Sequence, residues 1–229
     1  MSQVIKYNVF NPSNIHTDNV AKNKAGGNIV YLKYDENKKI ILQTPVMVAP
    51  FGLSVYTDDN NSTTKYSIDL SFKNKDTDPK IATFHDTMQA LDKFMINKGV
   101  ENSKEWFGKK MSKEVVEELY RPLIKESKDP DKYASTIKFK IRSSSDNFIM
   151  EAFDDNKNAF DMKNFSAGCK VRAIVELTSI WFVAKQFGCS LTILQTQISK
   201  PEKLVGFSFE PDSDDDDEDE EDDEEEEED

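Results

Sequence analysis

Three cations recur at every second position near the middle of the chain: Lys138, Lys140 and Arg142, with Phe139 and Ile141 between them. On a strand, alternate residues share a face and stand about 6.7 Å apart. That is near the phosphate repeat of a stretched single nucleic acid strand, so three such charges can follow one backbone. Tyr133 precedes them. Lys170 and Arg172 repeat the pattern on a later strand, and Tyr31 with Lys33 on an earlier one. Trp106 and Phe107 stand just before Lys109 and Lys110. Rings interleaved with cations suit sequence-tolerant binding of unpaired nucleic acid. Bases stack on rings for about 1–3 kcal/mol each while amines take the phosphates. A half-exposed strand alternates Lys and Arg with core residues for solubility alone, so one strand by itself favours neither reading. Three such strands, with the charge distribution described below, favour a binding surface. Trp106 is read two ways, as a stacking site or as a ring that docks helices, with docking favoured. Trp181, between Ile180 and Phe182, reads as core.

No residues assemble a catalytic pattern. His16 and His85 have no metal-type spacing to Cys169 or Cys189 and read as surface or helix-start residues. There is no Gly-rich phosphate loop, no HExxH and no nucleophile elbow. The expectation is therefore a protein that is not an enzyme and holds no cofactor or metal. The two cysteines sit in apolar text and read as reduced, buried thiols of a cytosolic or nuclear-type compartment. No apolar run approaches the ~20 residues of a membrane span. Met1-Ser2-Gln3-Val4 does not open a signal peptide. Neither secretion nor membrane insertion is expected.

Charge is distributed unevenly. Eighteen of the 43 acidic side chains and none of the 30 basic ones lie in residues 210–229. Residues 1–209 keep 25 acids against 30 bases, a formal +5, although the whole chain is −13. So dense a run of like charge repels itself and buries nothing, which predicts a disordered tail. A solubility tail would show the same composition. A mildly basic body that carries its own polyanion also suits a protein that binds another polyanion. A flexible chain of that length spans roughly 25 Å. Tethering holds it near the body at an effective concentration on the order of mM.

The remaining text must position these groups. Asn28–Tyr34 alternates as a strand, and Ile40–Thr44 is a second one; together they read as a hairpin over Asp35–Lys38. Lys65–Lys73 is the cleanest strand, with Tyr66, Ile68, Leu70 and Phe72 on one face. Phe84, Met88, Leu91 and Met95 then recur at helical spacing towards Gly99, and a second helix starts at Ser112. Residues 80–127 thus read as a helical insertion. Strands return at Thr136–Arg142 and Phe148–Phe153, and then at Val171–Ala184 and Ser190–Ile198, parted at Phe187-Gly188. The fold expected is mainly β, an OB-like Greek-key barrel over residues 1–209 with that insertion, followed by the disordered acidic tail.

Several blocks carry a resemblance. Gln43-Thr44-Pro45 running to Pro50-Phe51-Gly52-Leu53, the strand Tyr66–Phe72, and Lys170–Ile174 through Ile180-Trp181-Phe182 to Phe187-Gly188 are such blocks. They resemble the single-stranded-DNA-binding proteins of nucleocytoplasmic large DNA viruses, similar to the phage replication type. The resemblance spans roughly residues 28–198. It implies an OB barrel that binds single-stranded DNA in viral replication and recombination, in the host cytoplasm or nucleus. It also implies an acidic tail that regulates DNA access and contacts replication proteins, and it leaves room for a homodimer. Phage-type tails end in an aromatic residue, whereas this chain ends Glu227-Glu228-Asp229, with Phe207 and Phe209 before the acidic run. The alternative is an acidic-tailed chaperone for histones or other basic proteins, in which the tail binds and the body is scaffold.

Overall fold

Apolar alternation with period two builds most of this chain into one barrel. The computed structural model describes residues 3–24, 26–58, 63–144, 147–201 and Phe209. The acidic stretch 210–229, expected to be disordered, lies outside them. In chain order the strands are β1 (Ile5–Lys6), β2 (Ile15–Lys22), β3 (Asn28–Tyr34), β4 (Ile40–Gln43), β5 (Met47–Val48), β6 (Ser54–Asp58) and β7 (Thr63–Ser71). The helices α1 (Pro79–Glu101), α2 (Ser103–Phe107) and α3 (Lys113–Leu119) follow. Then come β8 (Tyr120–Arg121), β9 (Ile124–Lys125), β10 (Thr136–Ile141), β11 (Ser143–Ser144), β12 (Asn147–Phe148), β13 (Glu151–Phe153), β14 (Lys170–Val183) and β15 (Gln186–Ser199).

The ladders close a ring. β14 pairs with β5, β5 with β7, β7 with β10, β10 with β15, and β15 with β14 again. All contacts around it are antiparallel except β10 with β15, which is parallel. β3, β4 and β5 run in succession along β14, from Trp181↔Ile29 to Lys170↔Val48. They act as one long first strand. With β7, β10, β14 and β15 as second to fifth, the order is 1-2-3-5-4-1, the OB-type barrel. The expected hairpin of Asn28–Tyr34 with Ile40–Thr44 is corrected by this register. Asp35 and Asn37, at φ 45° and 67°, make a kink within the first strand, after which both halves pair with β14.

The interior is filled by the residues that alternation assigns to it. Ile68, Leu70, Phe72, Ile137, Phe139, Val171, Val175, Leu191 and Ile193 are all buried. Burying one such side chain stabilises the fold by about 1.5–3 kcal/mol.

The insertion is helical from Pro79 to Leu119, and its end returns as the short strands β8 and β9 on β15 and β10. Helix α1 begins where Asp78 accepts a hydrogen bond from the Lys80 amide at 2.8 Å, satisfying one of the free donors of the first turn. Its inner face presses Phe84, Met88, Leu91 and Met95 onto the barrel. Gly99 allows the closest approach: a Cβ there would stand 2.8 Å from both Phe187 and Val116. The buried Asp92 carboxylate ties the insertion shut. It accepts from the Tyr120 hydroxyl at 2.6 Å and from the Leu123 amide at 3.1 Å. His85, expected at the surface or a helix start, is instead buried in α1, its ring edge-on to Phe72 at 4.9 Å.

Gly188 does not part the last two strands. The turn is Ala184-Lys185, at φ 48° and 70°, and β15 already includes Phe187 and Gly188. Gly188 is needed because the Trp181 ring lies over it; a Cβ would meet Trp181 Cζ2 at 2.8 Å. Trp181 is half-buried and donates its Nε1 proton to the Cys189 carbonyl at 3.3 Å. Cys169 and Cys189 are both free thiols and both buried. Among the described residues no helix is long and apolar enough to cross a membrane.

Candidate nucleic-acid interface

The outer face of β7 and β10 gathers the charges. Register sets Lys138 opposite Asp69 and Lys140 opposite Ser67. The edge strand β6 continues the face, with Ser54 opposite Ser67 and Tyr56 opposite Lys65. Tyr56 is 62% exposed, and the Lys65 amine stands 5.9 Å from its ring centroid. The Lys140 amine is crowded by neighbouring atoms and feels the charge of Lys65, and both lower its proton affinity below the usual lysine range. Lys140 and Lys65 are exposed side chains, and neither has an ion-pair partner among the described residues. Two amines that repel each other beside an open tyrosine ring form a place where an anion is welcome.

Lys138, Lys140 and Arg142 do share one side of their strand, but they are not three free charges. The Lys138 amine lies 2.8 Å from the Asp69 carboxylate and 3.3 Å from the Ser67 hydroxyl. Arg142 donates to Glu176 at 2.7 Å. Glu176, lodged on β14 with its side chain 11% exposed, also draws in Lys39 at 3.5 Å. β7 and β14 thus supply a carboxylate to each outer cation, and among the described residues the middle one has no ion-pair partner.

The other expected residues lie elsewhere. Lys170 sits in the row Thr136–Ser71–Val48–Lys170, so β7 and β5 separate it from β10. Arg172, next on the same face, acts on the Tyr7 phenol: its charge partly offsets burial and Asp78, which raise that group's proton affinity. Tyr31 is exposed on β3, and Lys33 is paired with Asp18 at 3.1 Å. Tyr133 is exposed in the loop before β10. Trp106 is buried, with Phe182 at 5.7 Å and Phe187 at 6.3 Å, both edge-to-face. Its ring seats α2 on the barrel and offers no open face to a base. Lys109 and Lys110 are exposed just beyond it. Tyr56 and Lys65 were not singled out from the sequence. The run Ser54-Val55-Tyr56-Thr57, closed by Asp- and Asn-rich text and answered by Thr63-Thr64-Lys65, is the hairpin signal that finds them.

Residues 68–210 match a family described as a family of unknown function, DUF5871. The chain belongs to that family. The matched stretch of this DUF5871 chain takes in β10, β14, β15, the whole insertion and the end of β7. A relative, uncharacterized protein L291 of Acanthamoeba polyphaga mimivirus, is 28% identical over 174 residues, 74% of this chain. The chain spans only 28% of that relative's length. Among solved structures, gp2.5, a single-stranded DNA binding protein encoded by bacteriophage T7, is similar at 14% identity and a TM-score of 0.47. That match covers 75% of this chain and 98% of gp2.5. The single-stranded DNA-binding protein from bacteriophage Enc34, in complex with ssDNA, is similar at 12% identity and a TM-score of 0.42, over 82% of this chain and 98% of that one.

Proposed function

We propose that this protein binds single-stranded DNA without sequence preference, across the outer face of β6, β7 and β10, in the replication and recombination of a viral genome. The reading rests on one observation: the Lys65 amine stands 5.9 Å from the centroid of the exposed Tyr56 ring, Lys140 lies within charge reach of Lys65, and neither amine has an ion-pair partner among the described residues. A ring stacks on any base, and amines take any phosphate. The face lies on the second and third strands, where OB barrels hold oligonucleotides. Each phosphate contact made on this face adds about 0.7 to the slope of log affinity on log salt.

The acidic tail competes with the DNA for the same amines and meets replication proteins when DNA displaces it. The test is fluorescence titration of the full chain, and of a chain ending at Phe209, with single- and double-stranded oligonucleotides at two salt concentrations. Single strands bind better than duplex, and the shorter chain binds more tightly at low salt with little difference at high salt. Equal affinity of both chains at low salt refutes the competition. Retention of histones through the tail, with no affinity of either chain for oligonucleotides, replaces this function by that of a basic-protein chaperone.

A further inference from the structure

Trp181, expected in the core, turns outward. Ile180 before it is fully buried, whereas Trp181 is only half-buried. Its indole lies over Gly188 of β15, where an added Cβ would come within 2.8 Å of Cζ2 and 3.3 Å of Cε2. Its Nε1 donates to the Cys189 carbonyl. Strand backbone thus covers one face of the ring, and the hydrogen bond fixes its angle. No other ring packs on it among the described residues. A ring held in place this way loses little freedom when a base arrives on its outer side.

Tryptophan is seldom fully buried in any protein, so exposure alone decides nothing. The charges around this ring do. Arg121 of β8 pairs with Gly188, and Lys125 of β9 pairs with Thr136 at the start of β10. Both side chains are exposed, and neither has an ion-pair partner among the described residues. β8 and β9 lie between β10 and β15 where those strands diverge, so the two cations lead from the Lys140 side of the barrel towards Trp181. Glu176, opposite Thr192 on the same route, is taken up by Arg142 and Lys39. Tyr31, opposite Ser179 and 42% exposed, is the diagonal neighbour of Trp181 on β3. Diagonal neighbours stand about 7–8 Å apart, so the platform offers a second ring.

Lys140 pairs with Thr192, and Gly188, beside Trp181, is four residues back along β15. Measured over the sheet, Trp181 is therefore roughly 17 Å from Lys140, and the curve of the barrel lengthens the path. We infer that a single strand bound on the face of β6, β7 and β10 continues around β15 and stacks a base on the outer side of Trp181, with a phosphate on Arg121. The inference rests on the single-strand reading above and adds a second platform to it.

The test titrates the full chain with a labelled oligothymidylate of about twenty nucleotides, long enough to reach both platforms, and follows label anisotropy and tryptophan emission together. Trp106 is buried, so a stacked base quenches Trp181. Emission of the parent falls in step with the anisotropy. Trp181→Phe keeps a ring and loses the quench, and Trp181→Ala binds at least about fivefold more weakly. Arg121→Ala lowers the slope of log affinity on log salt by about 0.7, which a merely structural role does not do. Thermal melts show that each variant is folded. Binding with unchanged emission in the parent overturns the inference, and so do Trp181→Ala and Arg121→Ala chains with parent affinity and slope. If Tyr56→Ala still weakens binding in that case, the barrel-face reading stands without the second platform. A parent chain with no affinity for the oligonucleotide overturns both.

Discussion

Replacing Asp69 by Asn changes DNA binding in a direction that the charges of β10 alone do not suggest. Asp69 holds the Lys138 amine at 2.8 Å, and its own side chain is only 13% exposed. In the parent protein Lys138 is already neutralised, so Lys138→Ala costs little DNA affinity. Asp69→Asn keeps the shape and frees the amine for a phosphate. One added contact to a single strand releases about 0.7 of a counterion, which at 0.1 M salt is worth roughly 1 kcal/mol, or about fivefold in affinity. The same substitution steepens the salt slope by about 0.7. The assay is a double-mutant cycle of Asp69→Asn and Lys138→Ala, titrated with a single-stranded oligonucleotide at several salt concentrations. Lys138→Ala should cost about fivefold in the Asp69→Asn background and little in the parent. Equal cost in both backgrounds refutes the idea that Asp69 occupies Lys138, and an unchanged slope in Asp69→Asn refutes the placement of the strand on this face.

Tyr56→Ala removes a stacking platform and nothing else, so affinity for single strands falls by about 1–3 kcal/mol with an unchanged melting temperature; unchanged affinity removes Tyr56 from the site. Gly99→Ala forces a methyl group 2.8 Å from Phe187 and Val116 and destabilises the fold by about 1–3 kcal/mol, read by urea unfolding. Burial pushes the Cys189 thiol up to about 12 from 9.0, and it holds the Tyr120 phenol well above 10.0. Both raised values mean that the unfolded chain ionises first. Their contribution is whole below pH 9; the thiol's drains as pH rises through about 12 and the phenol's as pH rises beyond 10.0, at up to about 1.4 kcal/mol per pH unit for each group. Urea midpoints measured from pH 8 upward should therefore fall, and Cys189→Ala should flatten part of that fall.

What was legible in the sequence was periodicity, and what was hidden was adjacency. Tyr66, Ile68, Leu70 and Phe72 alternate so cleanly that the polar face of β7, with Lys65 and Asp69 on it, follows from spacing alone. That Asp69 faces Lys138 does not, because the pairing bridges two strands separated by the whole insertion. Nothing in the run Val171–Ala184 ties Glu176 to distant cations; the barrel shows it taking Arg142 and Lys39. The turn at Ala184-Lys185 was missed because two residues without special freedom adopt positive φ, while the more obvious glycine next door serves a tryptophan ring. Trp106 illustrates the limit for aromatics. Its neighbours Lys109 and Lys110 left a stacking site open beside the favoured docking role, and three phenylalanines distant or adjacent in sequence claim its ring.

The proposed binding face is made by two strands whose first partners, Ser71 and Thr136, are 65 residues apart. Closing a loop of that size costs about 3.7 kcal/mol in chain entropy before any pairing rewards it. During synthesis Lys65 emerges well before Lys140, and α1 to α3 must be largely in place for the two strands to meet. The late step in folding is therefore the assembly of the ligand face itself, and a nascent chain stalled before residue 136 holds β7 beside β5 and β6 with its β10 edge open.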